Sequence, residues 1–182
     1  MKSRLRPPHH PSKRHLGFTL LEVITAIFVI TVGVIGGMSA IQKTVALISI
    51  SSSRLTAAYL AQEGIEVIRN IRDTNWLEGR TAEVSWDEGL TDCSAGCETD
   101  YTMNQNLDSW VGEGRYLYID GTNSFFRYID FPSGDDIQTK FKRKITITSD
   151  VSDILEVLVE INWSERGIPQ SLSAQENLYN WR

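Results

Sequence analysis

Histidine is almost missing from this sequence. Of 182 residues only three are histidines, and all lie within the first fifteen positions, as His9, His10 and His15. A Ser-His-Asp triad needs a histidine beside its nucleophile, so none can form in the rest of the chain. A glycine-rich phosphate loop of the expected spacing is also missing. We therefore expect no enzymatic activity, no catalytic residue and no bound cofactor.

Cysteine is nearly as scarce, with only Cys93 and Cys97, in the stretch DCSAGC. Structural zinc takes four ligands, mostly cysteine and histidine, and two cysteines without a histidine downstream of His15 do not supply them. We expect no metal site here. In an oxidising compartment a local disulfide that closes a tight loop is the favoured state, and two free thiols are the alternative.

Positive charge is concentrated at the start of the chain. No acidic residue precedes Gly17, and the remainder carries 13 of the 18 basic residues against all 23 acidic ones, a net charge of −10. The five early basic residues are Lys2, Arg4, Arg6, Lys13 and Arg14. Contact with phosphates needs clustered lysine and arginine, so nucleic acid is not an expected partner of the acidic body.

The stretch from Phe18 to Ala40 is almost entirely apolar, with one carboxylate, Glu22. As a helix these residues would span about 35 Å, enough to cross a hydrocarbon core of about 30 Å. Three interpretations fit. The segment is a plain membrane anchor; or it is a removed secretory signal with a weak cleavage site at 37–39; or the chain is cut between Gly17 and Phe18 and keeps the helix.

The charges that flank this stretch predict its orientation. Five basic residues precede it, whereas only Lys43 and Arg54 follow within about fifteen positions. The positive-inside rule then keeps the N-terminus in the cytoplasm and exports the body.

The stretch GFTLLEVITAIFVI, which begins at Gly17, resembles the N-terminal signature of type IV pilins and pseudopilins. The resemblance implies that residues 1–17 are a leader removed by the prepilin peptidase. Phe18 would become the N-methylated first residue of the mature chain. Glu22 would be the acid at its fifth position, paired with the freed amine of Phe18 within one subunit or between neighbours, and the pair would set subunit register.

The same resemblance implies partners and a location. The expected partners are the prepilin peptidase, other pilin or pseudopilin subunits, an inner-membrane assembly platform and the lipid bilayer. The protein would cross the inner membrane once, with a cytoplasmic N-terminus and an exported globular domain, and would enter an extracellular or periplasmic filament.

Two further stretches resemble V-type minor pilins and I-type pseudopilins: AAYLAQEGIEVIRNIRD, and KRKITIT…ILEVLVEINWSERG…NLYNWR towards the C-terminus. They imply a minor or initiating subunit of a type IV pilus or a type II secretion pseudopilus. The rival hypothesis is a membrane-anchored exported binding or adhesin domain that never polymerises.

One long helix is predicted from Phe18 to about Asp73. Residues 18–40 would be its transmembrane half and residues 41–75 its amphipathic half. Residues at helical spacing form two successive stripes: Ile41, Val45, Ile48 and Leu55, then Ala57, Leu60, Ala61, Gly64, Ile68 and Ile71. The polar face would carry Arg54, Glu63, Glu66, Arg69 and Arg72.

Small residues interrupt this predicted helix at two places. Gly33, Gly36 and Gly37 indicate either close packing against another helix or a segment that unwinds when it leaves the bilayer for a filament, as in related pilins. The serines Ser49, Ser51, Ser52 and Ser53 are expected to weaken the joint between the two halves.

The remainder, residues 76–182, is predicted to be an exported β-rich domain, so the fold class is α+β: a long N-terminal helix packed against a C-terminal antiparallel sheet, as in pilins. Thr81–Trp86 is a candidate strand. RYLYIDGTNSFFRYID is predicted to form a hairpin around Asp120-Gly121. FKRKITITSDVSDILEVLVEINW forms a second hairpin, and SLSAQENLYNW a closing strand.

Period-two alternation assigns faces in this second hairpin. The inward face of its second arm would be Leu155, Val157, Val159, Ile161 and Trp163, with Glu156, Glu160 and Asn162 outward. In its first arm, one face would carry Lys140, Lys142 and Lys144. The opposite face would carry Phe141, Ile145 and Ile147. We expect the lysines to meet Glu156 and Glu160 across the strands and to guard an edge; contact with an anionic ligand or with DNA is the alternative.

Three aspartates lie close to Ser133-Gly134, namely Asp130, Asp135 and Asp136. They fit either a plain acidic turn, which we favour, or a calcium site of the kind that some pseudopilins have.

Overall fold

The computed structural model describes residues 17–79, 84–103, 106–151 and 153–181. One long helix precedes eight strands and a short 3₁₀ helix at Thr91–Ala95. The chain divides into two compact units, Met1–Leu47 and Ile48–Arg182. The helix in the second unit packs against an antiparallel sheet, so the predicted α+β class is confirmed.

Helix α1 runs from Leu20 to Glu78. It begins two residues later and ends five residues later than predicted. The buried residues lie only in its second part: Ser53, Ala57, Leu60, Ala61, Gly64, Ile65, Ile68, Ile71, Arg72 and Asn75. The stripe from Ala57 to Ile71 is therefore confirmed. Arg72 was wrongly assigned to the polar face, because its side chain is buried.

The first predicted stripe is not buried in the single chain. Ile41, Val45, Ile48 and Leu55 are all more than half exposed. Helical spacing of apolar residues marks a face but does not identify what covers it.

The main sheet has five antiparallel strands in the order β2-β1-β6-β7-β8. Their bounds are Cys97–Glu98 for β1, Asp108–Ser109 for β2, Lys142–Val151 for β6, Ile154–Glu165 for β7 and Ile168–Tyr179 for β8. The hairpin of β6 and β7 and the closing strand β8 are as predicted. The register of β6 against β7 shifts between Thr148 and Val151.

The turn between β7 and β8 consists of Arg166 and Gly167, both with positive φ (53° and 79°). Two successive residues in this region are typical of a type I′ turn, whose twist matches that of the strands it joins. Glu165 therefore stands directly opposite Ile168, and the whole of β8 keeps one register along β7.

A second sheet has three very short strands in the order β4-β3-β5: Tyr118–Ile119 for β3, Phe126–Arg127 for β4 and Ile137–Gln138 for β5. The hairpin predicted around Asp120-Gly121 is confirmed as the β3–β4 pair. The candidate strand at 81–86 is wrong for Val84–Trp86, which form coil and turn, and positions 81–83 lie outside the described residues.

The core lies between the second part of α1 and one face of the main sheet. From β7 it receives the five residues predicted to point inward, and from β6 it receives Ile145 and Ile147. Gly64 lies at a close approach of α1 to the sheet. A Cβ atom there would lie 3.1 Å from both Arg143 Cδ and a Val159 methyl group, tighter than ordinary packing, so glycine allows α1 to lie against β6 and β7.

Candidate processing and assembly segment

The residues predicted for processing and assembly lie at the start of α1. Gly17, Phe18 and Thr19 precede the helix, and Glu22 lies in its first turn. Phe18 is 80% exposed. The unpaired amide N–H groups at a helix N-terminus favour a nearby negative charge, so Glu22 is well placed for the helix itself. Of the predicted leader at 1–17, residues 1–16 lie outside the described residues.

Thr19 caps this helix, a contact that the sequence reasoning missed. Its hydroxyl oxygen accepts a hydrogen bond from the Glu22 backbone N–H at 3.3 Å, and its carbonyl oxygen accepts one from the Val23 N–H at 3.2 Å. A threonine followed three positions later by glutamate is the sequence signal of a capping box. Thr19 therefore fixes the start of the helix through the backbone of Glu22, whereas the Glu22 side chain adds its negative charge to the first turn.

The apolar side chains that follow are exposed. α1 is the one helix in the described part of the chain that is long and apolar enough to cross a membrane, and none of its most apolar window is buried. Leu20, Phe28 and Ile35 are each more than 60% exposed. A stripe of this size in contact with water would be unfavourable, so it requires a covering layer.

A polar cluster joins the middle of α1 to the turn between β7 and β8. The Glu165 carboxylate accepts hydrogen bonds from Ser49 Oγ at 2.9 Å and Ser53 Oγ at 2.8 Å. Lys140 Nζ lies 2.5 Å from the same carboxylate. The hydrogen bond from Lys140, followed by those from the two serines, lowers the pKa of Glu165 to about 2. Two of the four serines therefore bind the end of the β7–β8 hairpin, and α1 continues through them as one helix, as predicted; that the serines weaken the joint stays a prediction.

Arg143 is fully buried and connects three elements. Arg143 is a residue of β6. Its guanidinium donates one hydrogen bond to the Leu60 carbonyl oxygen of α1 at 3.0 Å and another to the Thr99 carbonyl oxygen, just after β1, at 2.6 Å. Glu63 lies 3.5 Å away. Burial raises the pKa of the Glu63 carboxyl, although the Arg143 charge opposes that shift. Alternation in KFKRK placed Arg143 on the inward face, but the sequence reasoning did not single it out.

The lysines of β6 behave only in part as predicted. Lys144 stands opposite Glu160, as expected, but Glu156 stands opposite Thr148. Lys142 instead pairs with Glu113 at 3.2 Å. Lys140 and Lys142 line an open groove of about 660 Å³, and both already have carboxylate partners, which favours the structural role over binding of an anion.

Arg115 holds the middle of the chain together through three carboxylates. It lies 2.6 Å from Glu98, 2.6 Å from Asp108 and 3.0 Å from Asp130. Burial acts to lower the pKa of Arg115, but the hydrogen bonds to Glu98 and Asp108 outweigh it and raise the pKa. Arg115 therefore remains charged and links the loops around the short strands.

The acidic turn is held by hydrogen bonds. The Asp136 carboxylate accepts from the backbone N–H of Gly121 at 3.1 Å and of Ser133 at 2.7 Å. These bonds lower the pKa of Asp136. Within the described ranges, no group of three or more histidine, cysteine, aspartate or glutamate side chains is arranged to hold a metal ion.

Cys93 and Cys97 form a disulfide in the structure, with their Cα atoms 5.2 Å apart. Both are buried. The bond joins the 3₁₀ helix to β1, and Cys97 stands opposite Ile145 of β6, so the disulfide lies against the main sheet.

Comparison with known proteins finds no counterpart: no family model, no curated protein and no solved structure matches the chain. The function is therefore inferred from this chain's own residues and geometry.

Proposed function

We propose that this chain is the precursor of a structural subunit of a type IV pilus or a type II secretion pseudopilus, in a minor or initiating position. The prepilin peptidase cuts it between Gly17 and Phe18 and methylates the new amine. The assembly platform of the inner membrane then adds the mature subunit to a filament through α1, while the globular domain is exported.

One observation carries this proposal. A helix long enough to cross a membrane begins directly after Gly17-Phe18-Thr19, carries a single carboxylate in its first turn, and exposes its apolar side chains as far as Val45. A plain anchor does not need the acid, because a charge in hydrocarbon costs several kcal/mol. A cationic amine at Phe18 would offset that cost by pairing with Glu22 in a dry helix bundle.

The test is the mass of the N-terminal peptide of the protein recovered from membranes of cells that contain a prepilin peptidase. We expect N-methyl-Phe18 as the first residue. The matched control is Gly17→Leu, which should leave the full-length precursor, because a bulky residue obstructs the close approach of the backbone to the peptidase. An intact leader on the wild-type protein would favour the static membrane-anchored binding domain, and normal processing of Gly17→Leu would contradict the proposed cleavage motif.

A further inference from the structure

The outermost strand of the main sheet, β8, has twelve residues and is paired on one side only. Such a strand exposes a row of unpaired N–H and C=O groups that can pair with another chain. Along the described residues, no backbone group bonds to the outer side of β8 from Ser171 to Tyr179.

The register shows which amides face outward. The Asn180 N–H donates to the Asp153 carbonyl oxygen at 2.9 Å, in line with the pairing of Tyr179 with Ile154. Because hydrogen-bonding direction alternates along a strand, the even-numbered residues of β8 bond to β7 and the odd-numbered ones face outward. Pro169 is one of the odd-numbered residues, so its missing N–H would face away from β7 and the sheet loses no hydrogen bond. The open side thus presents the N–H groups of Ser171, Ser173, Gln175, Asn177 and Tyr179, all exposed residues.

Within the described residues, the other unpaired backbone of the main sheet is short or protected. β2, at the opposite end of the sheet, has only two residues. β6 pairs with β1 at Ile145 alone, but it carries Lys142 and Lys144 and an irregular register near its end, both of which discourage further pairing. From Ser171 to Tyr179, β8 has no lysine, no proline and no bulge.

The sequence of β8 also fits a second β8. A strand added at this edge must continue both faces of the sheet, with neutral polar residues outside and apolar or small residues towards the core. β8 has this alternation itself, with Ser171 and Ser173 outside and Leu172 and Ala174 partly buried inside. Its single charge, Glu176, is held by Arg69 at 2.5 Å, so two such strands meet without like-charge contact.

We propose that β8 is a self-association edge, along which two copies of this chain join their main sheets by main-chain hydrogen bonds. Such an isologous contact uses the same surface on both copies. It is independent of processing and of filament assembly. The net charge of the body opposes it at long range, so higher salt should strengthen the pairing by screening.

The experiment uses the purified full-length chain in detergent. Light scattering over a concentration series at moderate and high salt gives the mass and the dissociation constant. Amide hydrogen exchange measured by NMR gives the site. We expect a dimer whose affinity rises with salt, and amides at 171, 173, 175 and 177 that become protected only where the dimer forms. Fast exchange of these amides at every concentration, or a monomer throughout, would overturn the proposal.

Two variants separate the edge from other surfaces. Ser173→Pro removes an outward N–H without removing a bond to β7, and should weaken the dimer by about tenfold. Ser173→Lys places a charge on the edge and should also weaken it, whereas Asn162→Lys places the same charge on the outer face of β7, away from the edge. If both lysine variants change the affinity equally, the contact is not along β8. An unchanged melting temperature in Ser173→Pro shows that the fold is intact.

Discussion

The side chain of Arg143, on the central strand β6, donates a hydrogen bond to the main-chain carbonyl oxygen of Leu60, 83 residues earlier on α1, at 3.0 Å. The contact joins the helix to the sheet one turn before Gly64, where a Cβ atom would lie only 3.1 Å from Arg143 Cδ. A fully buried guanidinium is costly unless its donors are used, and here two of its terminal donors are satisfied by main-chain oxygens.

Replacement of Arg143 should therefore destabilise the domain strongly. We expect Arg143→Ala to lower the free energy of unfolding by about 3 kcal/mol, because it leaves a cavity and removes hydrogen bonds to two buried carbonyl groups. Arg143→Met keeps much of the volume and should cost less. Denaturant unfolding followed by tryptophan fluorescence gives the values.

The control for Arg143 is Arg54→Ala, at an exposed arginine of α1, which should change stability by no more than about 0.5 kcal/mol. Equal effects of Arg143→Ala and Arg54→Ala would show that the buried bonds contribute little.

The cluster around Glu165 predicts a pH dependence. The folded-state pKa is about 2, against an ordinary value of 4.5. A carboxyl whose pKa is lowered by folding contributes stability that is present above its unfolded pKa and is lost as the pH falls through the folded value. The contribution of Glu165 should thus be full above pH 4.5 and disappear between about 4.5 and 2.

Thermal melting at a series of pH values measures this contribution as the difference between wild type and Glu165→Gln. The difference cancels the titration of the other carboxyls. These include Glu63, whose raised pKa has the opposite effect on stability as the pH falls. We expect the two melting temperatures to converge as the pH approaches 2. Curves that remain parallel from pH 7 to 2 would mean that the lysine and serine contacts of Glu165 do not stabilise the fold.

The disulfide predicts the redox behaviour of the two cysteines. Thiol alkylation of the denatured, unreduced chain should modify neither Cys93 nor Cys97, and both should react after reduction. Because the closed loop is short, the double alanine variant should lose only about 2 kcal/mol on entropic grounds. Two alkylated thiols in the unreduced protein, read by mass spectrometry, would refute the pairing.

The sequence predicted the elements whose patterns are local and missed the contacts that join distant segments. Period-two alternation identified the inward face of β7 from Leu155 to Trp163 because each of those side chains meets the same core. It did not reveal that Arg143 is satisfied by carbonyl oxygens far away in the chain. Likewise Ser49 and Ser53 read as helix-weakening residues, since their partner Glu165 is more than a hundred residues later.

The middle of the chain was the least predictable part. Its strands, β1 to β5, have two residues each, too few for a period to show. Arg115 links β1 and β2 through its contacts with Glu98 and Asp108, and such contacts between distant residues have no local pattern. At the other extreme, the apolar start of α1 was easy to identify as a helix. Its stripe from Ile41 to Leu55 belongs to the half that was expected to pack against the globular domain, and that expectation is wrong for this stripe, which is exposed in the single chain.

The last prediction separates two roles for Glu22. Its carboxylate lies in the first turn, where a negative charge suits the helix N-terminus, and would also pair with the freed amine of Phe18 after processing. Glu22→Ala removes the charge from both interactions, Glu22→Gln removes the charge but keeps a polar side chain of the same size, and Thr19→Ala removes the hydroxyl that caps the Glu22 backbone N–H while it keeps the carboxylate. All three should still be cut after Gly17, and Glu22→Ala should stay in the membrane, because loss of a charge makes the segment more apolar.

If the charge pair serves assembly, Glu22→Ala should fail to enter filaments, because the Phe18 amine would be buried unpaired at a cost of about 3–5 kcal/mol. Glu22→Gln should be partly defective, since it keeps hydrogen bonding without the charge, and Thr19→Ala should assemble almost normally. The measurement is the amount of subunit in sheared filaments or crosslinked assembly complexes, divided by the processed membrane pool, which corrects for any effect on cleavage. If Thr19→Ala and Glu22→Ala lower incorporation into filaments equally, Glu22 acts only by stabilising the start of the helix. Wild-type recovery of Glu22→Ala would remove the main support for assembly through this residue.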